Sequence, residues 1–466
     1  MSSSLLVPEE QVLSTLRADG SRRWLKPHLS KGPYWRARQA VAYLLIVVFV
    51  AISHIQIGGK PAILLDIMAR EFTFFGFTFL PTDTLLLALF LLATFLSIFL
   101  LTAIFGRLWC GWACPQTVYM EYVFRPIERF FEGTIGHGGQ PRRPVAGWRR
   151  VARFLVYLLV SMGLAHTFLA YFVGVDKLSQ WVRLSPLEHP VPFLVMGITT
   201  GLMLFDFGFF REQLCLIACP YWRFQSVLLD RQSLIVTYDK TRGEPRGKVS
   251  KANRSNGTPV GDCVDCSACV RVCPTGIDIR DGLQMECINC TQCIDACDVI
   301  MERLNRPKGL IRYSCQATTE GHKKVRLRPR LVVYGVALLV VIGGFVATLA
   351  SKQAFDVTLL RSLGNPYITA ADGQIQNSLR LKLVSRTDEQ QDFQIRIAEP
   401  DDIALDLDVQ NVTLGGGQTW TQPVLVTVPP EAFTAGKLQI RLAIESSTGK
   451  SRVVSCQLLG PYNPTR

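Results

Sequence analysis

The sequence has 466 residues, of which 48% are hydrophobic, and a formal net charge of +13 at pH 7. Its mean hydropathy is +0.22. The length and the hydropathy exclude a single small soluble domain and favour a membrane protein with several domains. The positive charge does not require a nucleic acid partner, because lysine and arginine are concentrated beside apolar stretches.

Five of these apolar stretches are long enough to predict membrane-spanning helices, since a helix needs about 20 mostly apolar residues to cross the ~30 Å hydrocarbon core. His54 and Gln56 interrupt the first stretch and Asp206 the fourth, so a buried soluble helix is an alternative for these two. The predicted spans are residues 40–57, 84–105, 154–175, 190–210 and 331–350.

The placement of lysine and arginine predicts the topology. Residues 1–39 carry seven, 106–150 carry seven and 211–330 carry twenty, whereas 58–81 and 176–189 carry two each. Basic segments stay in the cytoplasm. We therefore expect a multi-pass protein of the bacterial inner membrane, in contact with lipid, whose C-terminal part is periplasmic.

A cysteine motif of the form C-x3-C-P follows the second and the fourth predicted span. The spacing predicts that both thiols of a pair lie on one helical face, while proline disfavours helix at the cysteine before it. An offset of 105 residues predicts a parallel repeat whose thiols converge at the cytoplasmic surface. Soft sulfur ligands suit Cu(I), zinc or another iron–sulfur cluster, and inert buried thiols are the alternative. The motif residues are Cys110, Cys114 and Pro115, and Cys215, Cys219 and Pro220.

Two histidines lie in the predicted spans. His54 is near the outer end of the first and His166 is inside the third. Intramembrane histidine is a candidate for function, and paired histidines bind haem. The sequence offers no second pair at matching depth, so a hydrogen bond to a neighbouring helix is the favoured interpretation.

Eight cysteines fall in two runs of the form C-x2-C-x2-C-x3-C, which describes two [4Fe-4S] clusters. In such modules the fourth cysteine of each run binds the cluster of the other run. Zinc pairs fewer thiols per unit, and dense disulfides belong to small secreted domains. Asp298 replaces the proline usual after the second run, but it is no ligand. The predicted ligand sets are Cys263, Cys266, Cys269 and Cys297 for one cluster, and Cys287, Cys290, Cys293 and Cys273 for the other.

Period-two hydrophobicity marks the segment after the fifth span, as in Leu379, Leu381 and Leu383. Several such runs, separated by Gly, Pro and Asp, predict an immunoglobulin-like β-sandwich. Its lone Cys456 is predicted to be a core thiol. The predicted regions are a cytoplasmic arm (1–39), a four-helix transmembrane region (40–237), a linker with the ferredoxin module (238–330), a fifth transmembrane helix (331–350) and a periplasmic domain (351–466).

These features together resemble the cbb3-type cytochrome c oxidase accessory proteins, the CcoG/FixG/RdxA family of polyferredoxin-like membrane proteins. The resemblance covers the two C-x3-C-P motifs, the Arg-Gly-Glu-Pro-Arg-Gly stretch at 242–247, both cysteine runs and the terminal β-domain. The C-x3-C-P pairs are shared mainly with the membrane subunits of quinol dehydrogenases.

The resemblance implies two [4Fe-4S] clusters as cofactors and cupric reductase activity, with copper as the substrate. Cu(II) would be reduced to Cu(I) in the cytoplasm, by an unidentified electron donor, during assembly of the oxidase. The implied partners are a copper-exporting P-type ATPase and oxidase assembly factors. Two alternatives stay open: a quinol dehydrogenase subunit feeding a periplasmic reductase, and a redox-sensing scaffold without catalytic activity.

Overall fold

In the computed structural model the chain folds into two compact units, Met1–Phe345 and Val346–Arg466. Most of the predicted linker, residues 248–260, and the start of the predicted N-terminal arm lie outside the described residues. The structure describes residues 14–16, 21–57, 60–67, 71–75, 77–79, 83–133, 145–247, 261–322, 328–351, 355–361, 365–371, 373–386, 390–399, 406–407, 410–416 and 418–461.

Among the described helices, five are long and apolar enough to cross a membrane. The first begins at Pro33, whose fixed φ suits the first helical turn, and it ends at Ile52. It does not run to residue 57 as the hydropathy predicted, because Gln56–Ile57 pairs with Lys60–Pro61 as a two-stranded sheet. The five are Pro33–Ile52, Thr84–Phe105, Gly147–Val173, Pro190–Phe210 and Pro329–Ala350.

The second and fourth of these helices end in the same unusual backbone turn. Gly106 has φ +59° and ψ −129°, and Arg211, 105 residues later, has φ +54° and ψ −122°. A side chain at Gly106 would collide with the carbonyl of Leu234. The strained conformation of Arg211 is held by its buried ion pair with Glu128, at 3.1 Å. The two halves are therefore repeats in backbone conformation as well as in sequence.

Shorter elements accompany the long helices. The segments Met120–Phe124, Asp206–Phe210 and Leu214–Ala218 are π-helical, a form often found near functional sites. A three-stranded sheet follows the first long helix, with strands Ile63–Asp66, Glu71–Phe74 and Phe77–Phe79. The remaining helices of this region are Leu108–Trp112, Pro115–Tyr119, Arg125–Glu132, Val175–Arg183 and Pro220–Leu228.

The ferredoxin module is built on one strand pair and a few short helices. Ile235–Tyr238 pairs antiparallel with Ile311–Ser314, so the pairing begins three residues before the predicted start of this region at 238. Residues 238–247, predicted as linker, continue from this strand into a capped turn, in which the Asp239 carboxylate accepts from Thr241 N–H. The helices are Lys240–Gly243, Ala268–Arg271, Ile279–Asp281, Gln292–Arg303 and Gln316–Thr319.

The second unit is a β-sandwich of two antiparallel sheets. One has the strand order Asp406–Leu407, Thr419–Val428, Ile375–Ser385 and Phe355–Arg361, with Ile368–Thr369 also paired to Ile375–Ser385. The other has the order Asn411–Leu414, Gln391–Glu399, Lys437–Ser446 and Ser451–Leu459. Leu379, Leu381 and Leu383 are buried between the sheets, and Cys456 packs half-buried against this core.

Candidate iron–sulfur and thiol sites

Two cavities in the ferredoxin module are lined by cysteines, five in one cavity and four in the other. Each contains three cysteines of one run and the fourth of the other run. Each has a volume of about 350 Å³, including space open to solvent. Cys269 lines both cavities, so they adjoin each other. The first set is Cys273, Cys287, Cys290 and Cys293, and the second is Cys263, Cys266, Cys269 and Cys297.

The two loops around these cavities share a backbone pattern. Asp265 and Ser267 in the first run have φ +50° and +53°, and Asn289 and Thr291 in the second have φ +53° and +62°. Turns with left-handed residues direct backbone N–H groups into a concavity that suits anionic groups. An iron–sulfur cluster with four thiolates is such a group, so the local fold fits a [4Fe-4S] cofactor.

Burial makes these cysteines poor thiolates unless a metal ion binds them. It raises the pKa of Cys287 to about 11 and that of Cys290 to about 12. In the other cavity, burial raises the pKa of Cys269 and of Cys297 to about 12. Metal binding replaces the thiol protons and compensates for the desolvation. These cysteines are therefore suited to bind iron and are not suited to be free thiolates.

The structure brings the four thiols of the C-x3-C-P motifs together. Burial raises the pKa of Cys110 to about 12, and the nearby Cys114 and Cys219 raise it further. The pKa of Cys215 is also raised, first by burial and then by the charges of the other three thiols. Charges act on one another this way only at short range in a partly buried site. The four thiols, two from each repeat, therefore lie near one another.

The two cysteines of a motif do not lie on one helix, so that prediction was wrong. The helix Leu108–Trp112 ends before Cys114, and Cys114 is extended, with ψ 127°. Cys219 is extended as well, with ψ 112°. The prolines that follow, Pro115 and Pro220, exclude the helical conformation from the preceding residue. A bend at the second cysteine of each pair thus turns it away from the helix that carries the first.

Polar side chains join the two repeats around the four thiols. The Cys110 thiol donates to Gln225 Oε1 at 3.3 Å. Gln116 Nε2 donates to Asp206 Oδ1 and to the Arg211 carbonyl, both at 3.0 Å. At the position equivalent to Gln116, Tyr221 shares a hydrogen bond of 2.9 Å with Thr102. A residue just after each motif is therefore hydrogen-bonded to the long helix of the other repeat.

A polar cavity lies beside Cys215. Met120, Glu121, Arg125 and Glu212 line it from the membrane region, and Pro274, Thr275 and Ile288 line it from the ferredoxin module. Thr275 and Ile288 also line the cavity of Cys287. Cys215 of the second motif and this cluster cavity therefore have Thr275 and Ile288 as common neighbours.

Sequence reasoning missed two buried arginines that contact both sites. Arg38 donates to the carbonyls of Gly111 and Cys290, each at 2.8 Å. Arg107 donates to the Cys287 carbonyl at 3.3 Å. Arg38 lies inside the first apolar helix, where an ionisable residue is a signal of function, but the predicted span began at residue 40. For Arg107 the signal in the sequence was its position between the second apolar stretch and Cys110.

The histidines bond within their own helices. His166 Nδ1 contacts the Met162 carbonyl at 2.8 Å, and His54 Nδ1 contacts the Val50 carbonyl at 3.0 Å. The prediction of bonds to neighbouring helices was therefore wrong. Within the described part of the chain, no three His, Cys, Asp or Glu side chains are close enough to hold a single metal ion. In a [4Fe-4S] site each cysteine binds a different iron, so this result is expected for the cluster cysteines. The C-x3-C-P thiols would have to move closer together to bind a single metal ion.

Three family models match the chain. A "4Fe-4S dicluster domain" matches residues 210–316 and a "4Fe-4S binding domain" matches residues 87–134. The "IG-like fold at C-terminal of FixG" matches residues 345–461. The chain therefore has 4Fe-4S domains and an immunoglobulin-like C-terminal domain.

Curated relatives match over most of the chain. Protein RdxB of Cereibacter sphaeroides is 35% identical over 84% of this chain and 85% of its own. Nitrogen fixation protein FixG of Rhizobium meliloti is 31% identical over 93% and 92%. Protein RdxA of Cereibacter sphaeroides is 35% identical over 72% and 73%. Together with the cysteine-lined cavities and the apolar helices, these matches show that the chain belongs to the FixG/RdxA family of iron–sulfur membrane proteins.

Proposed function

We propose that this protein is an inner-membrane oxidoreductase that reduces Cu(II) to Cu(I) for the assembly of a cbb3-type cytochrome c oxidase. The copper site would be formed by the four thiols of the two C-x3-C-P motifs. The observation that carries this proposal is that these half-buried thiols lie near one another and that Cys215 shares neighbours with a cysteine-lined cavity of the ferredoxin module. The motif thiols are Cys110, Cys114, Cys215 and Cys219.

The two cysteine-lined cavities would hold the resident cofactors. A bound [4Fe-4S] cluster supplies a carrier of one electron at a time at each site. The chain's own part is to provide eight thiolates, to shield all but Cys266 at least partly from solvent, and to keep the two cavities adjacent at Cys269. The ligands would be Cys263, Cys266, Cys269 and Cys297 in one cavity, and Cys273, Cys287, Cys290 and Cys293 in the other.

The thiol site favours the reduced form of copper. Soft thiolates prefer Cu(I) to harder cations, so binding at this site favours the reduction of Cu(II). Each copper ion takes one electron, which an external donor must supply to the protein. Because Cys110 has its pKa raised by burial, its thiol is neutral without metal and gives up its proton when copper binds.

The direction of delivery follows from the resemblance and the charge pattern. The twenty lysines and arginines of residues 211–330 favour a cytoplasmic site. Cu(I) held by several thiolates leaves slowly, so a partner must accept it. A copper-exporting P-type ATPase, acting with oxidase assembly factors, fits that role.

A second candidate is a third iron–sulfur cluster at the four thiols. It is favoured by the match of a 4Fe-4S binding domain to residues 87–134, which include Cys110 and Cys114. The protein would then be an electron carrier of the quinol-dehydrogenase kind. Iron content distinguishes the two candidates, because a third cluster adds about four irons to about eight.

The test is to replace Cys110 and Cys219 by serine, singly, in the full-length protein. We expect Cu(II) reduction to be lost in both variants, while about eight irons and eight labile sulfides remain. Cys456→Ser is the matched control, because this half-buried thiol lies in the β-domain. Normal copper reduction by the two variants would place the copper site elsewhere. Loss of about four irons would show the second candidate to be correct.

A further inference from the structure

We propose that Gly111 and Arg38 are positioning residues that fix the first C-x3-C-P motif against one particular cluster loop. That loop contains Cys287, Cys290 and Cys293. It follows that the cluster site of this loop is the one that exchanges electrons with the four-thiol site, while the other cluster site is farther away. This inference rests on the proposed function only in taking the four-thiol site to be redox-active.

Gly111 allows the two backbones to touch. It lies between the cysteines of the first motif and is buried. A Cβ atom added to it would be 2.5 Å from the Ile288 carbonyl oxygen and 2.9 Å from the Asn289 carbonyl carbon. Cβ contacts under 3.0 Å are essentially never observed, so the loops would have to separate by about 0.5 Å or more. Glycine is required here because of close approach and not because of its φ angle.

Arg38 joins the same two loops by hydrogen bonds. Its Nε donates to the Gly111 carbonyl and its Nη1 donates to the Cys290 carbonyl, both at 2.8 Å. The side chain is 2% exposed and lies over the Tyr122 ring. A planar guanidinium is suited to hold two carbonyls at a fixed separation. Arg38 also puts a buried positive charge next to the Cys290 loop.

Two further contacts join the same pair of loops. Arg107 donates to the Cys287 carbonyl at 3.3 Å. Trp112 Nε1 donates to the Tyr313 hydroxyl at 3.0 Å, and this hydroxyl donates to the Asn289 carbonyl at 3.1 Å. Residues on both sides of Gly111 are therefore linked to carbonyls of the cluster loop, Arg107 directly and Trp112 through Tyr313, and this makes the separation well defined.

The second motif approaches the same cluster site. Cys215 lines the polar cavity together with Thr275 and Ile288, which also line the cavity of Cys287. The other cluster cavity adjoins this one through Cys269, and its Cys266 is exposed to solvent. The order of sites is thus solvent-exposed cluster site, buried cluster site and four-thiol site.

The experiment compares Gly111→Ala with Gly163→Ala in the full-length protein. Gly163 is a helical glycine with nothing within 4 Å of an added Cβ. Each protein is reduced anaerobically with dithionite and mixed with Cu(II), and reoxidation is followed by the visible absorbance of the clusters. The separation of the loops is expected to slow Gly111→Ala several-fold, with unchanged iron content. Gly163→Ala should react like the wild type.

A second readout does not depend on copper. Loss of a buried positive charge disfavours the more negative, reduced cluster. Arg38→Gln should therefore lower the reduction potential of one cluster, and Arg38→Lys, which keeps the charge, should restore most of it. The paramagnetic resonance signals are assigned with Cys293→Ser and Cys266→Ser. The shifted signal should be the one that Cys293→Ser removes.

Three outcomes separate the claims. Gly111→Ala reacting with Cu(II) as fast as the wild type would overturn the positioning role. A potential shift in the cluster that Cys266→Ser removes, or in neither cluster, would overturn the order of sites. A wild-type protein that leaves Cu(II) oxidised would contradict the proposed function, and the Arg38 potentials would still decide the order of sites.

Discussion

Cys273 belongs to the first cysteine run, yet its side chain lines the cavity of Cys287, Cys290 and Cys293. We therefore expect Cys273→Ser to damage the cluster of the second run and to spare that of its own run. The reverse is expected for Cys297→Ser, because Cys297 lines the cavity of the first run. Serine preserves the size of the side chain but is a poor ligand for iron, so the effect reports ligation and not packing.

The expected loss of iron follows from one [4Fe-4S] cluster in each cavity. Each variant should retain about four of about eight irons, or about seven if only the iron of the missing ligand is lost. The assay is anaerobic purification, iron and labile sulfide analysis, and paramagnetic resonance of the dithionite-reduced protein. Cys315→Ser is a control for a buried thiol outside both cavities.

The comparison of resonance signals tests the crossed arrangement. Cys273→Ser should lose the same signal as Cys293→Ser, and Cys297→Ser should lose the same signal as Cys266→Ser. If Cys273→Ser and Cys266→Ser lose the same signal, each run holds its own cluster and the reasoning from the cavities is refuted.

Three other predictions concern stability and topology. Glu128 forms a buried ion pair with Arg211 at 3.1 Å, so Glu128→Gln should lower the free energy of unfolding by about 3–5 kcal/mol. Glu302 pairs with Lys308 at 3.4 Å on the surface, and a loss no larger than that of the control Glu302→Gln would contradict this. Burial alone would raise the pKa of Asp356, but hydrogen bonds from Arg386 and Arg452 lower it below 3.8. Its stabilisation is therefore present above pH 3.8 and is lost as the pH falls further, and Asp356→Asn should abolish this acid dependence of β-domain melting. Reporter fusions at Asn253 and at the C-terminus should report opposite compartments, and equal signals would mean a miscounted span.

Hydropathy and cysteine spacing predicted much of the fold because both act locally in the sequence. The apolar stretch 84–105 coincides with the helix Thr84–Phe105, since some 20 apolar residues have few other stable arrangements. The alternation of Leu379, Leu381 and Leu383 coincides with the buried face of a strand, because a strand has a period of two. The offset of the C-x3-C-P motifs predicted the repeat in the same way.

Contacts between distant segments could not be predicted from the sequence. Arg38 and the Cys290 carbonyl are 252 residues apart, and no local pattern specifies that pair. Cys110 and Gln225 come together only after both repeats have folded. The C-x3-C spacing predicted one helical face, but the rigid prolines determined the backbone at Cys114 and Cys219 instead. Here one local signal, the proline, outweighed another, the cysteine spacing.

X-ray absorption at copper, combined with metal analysis, tests the central claim most directly. Anaerobic full-length protein would be loaded with one equivalent of Cu(I), with the double variant Cys110→Ser and Cys219→Ser treated alongside. The account predicts copper with only sulfur neighbours in the wild type, no such copper in the variant, and about eight irons in both proteins. About twelve irons and no bound copper in the wild type, or copper with nitrogen and oxygen neighbours, would contradict it.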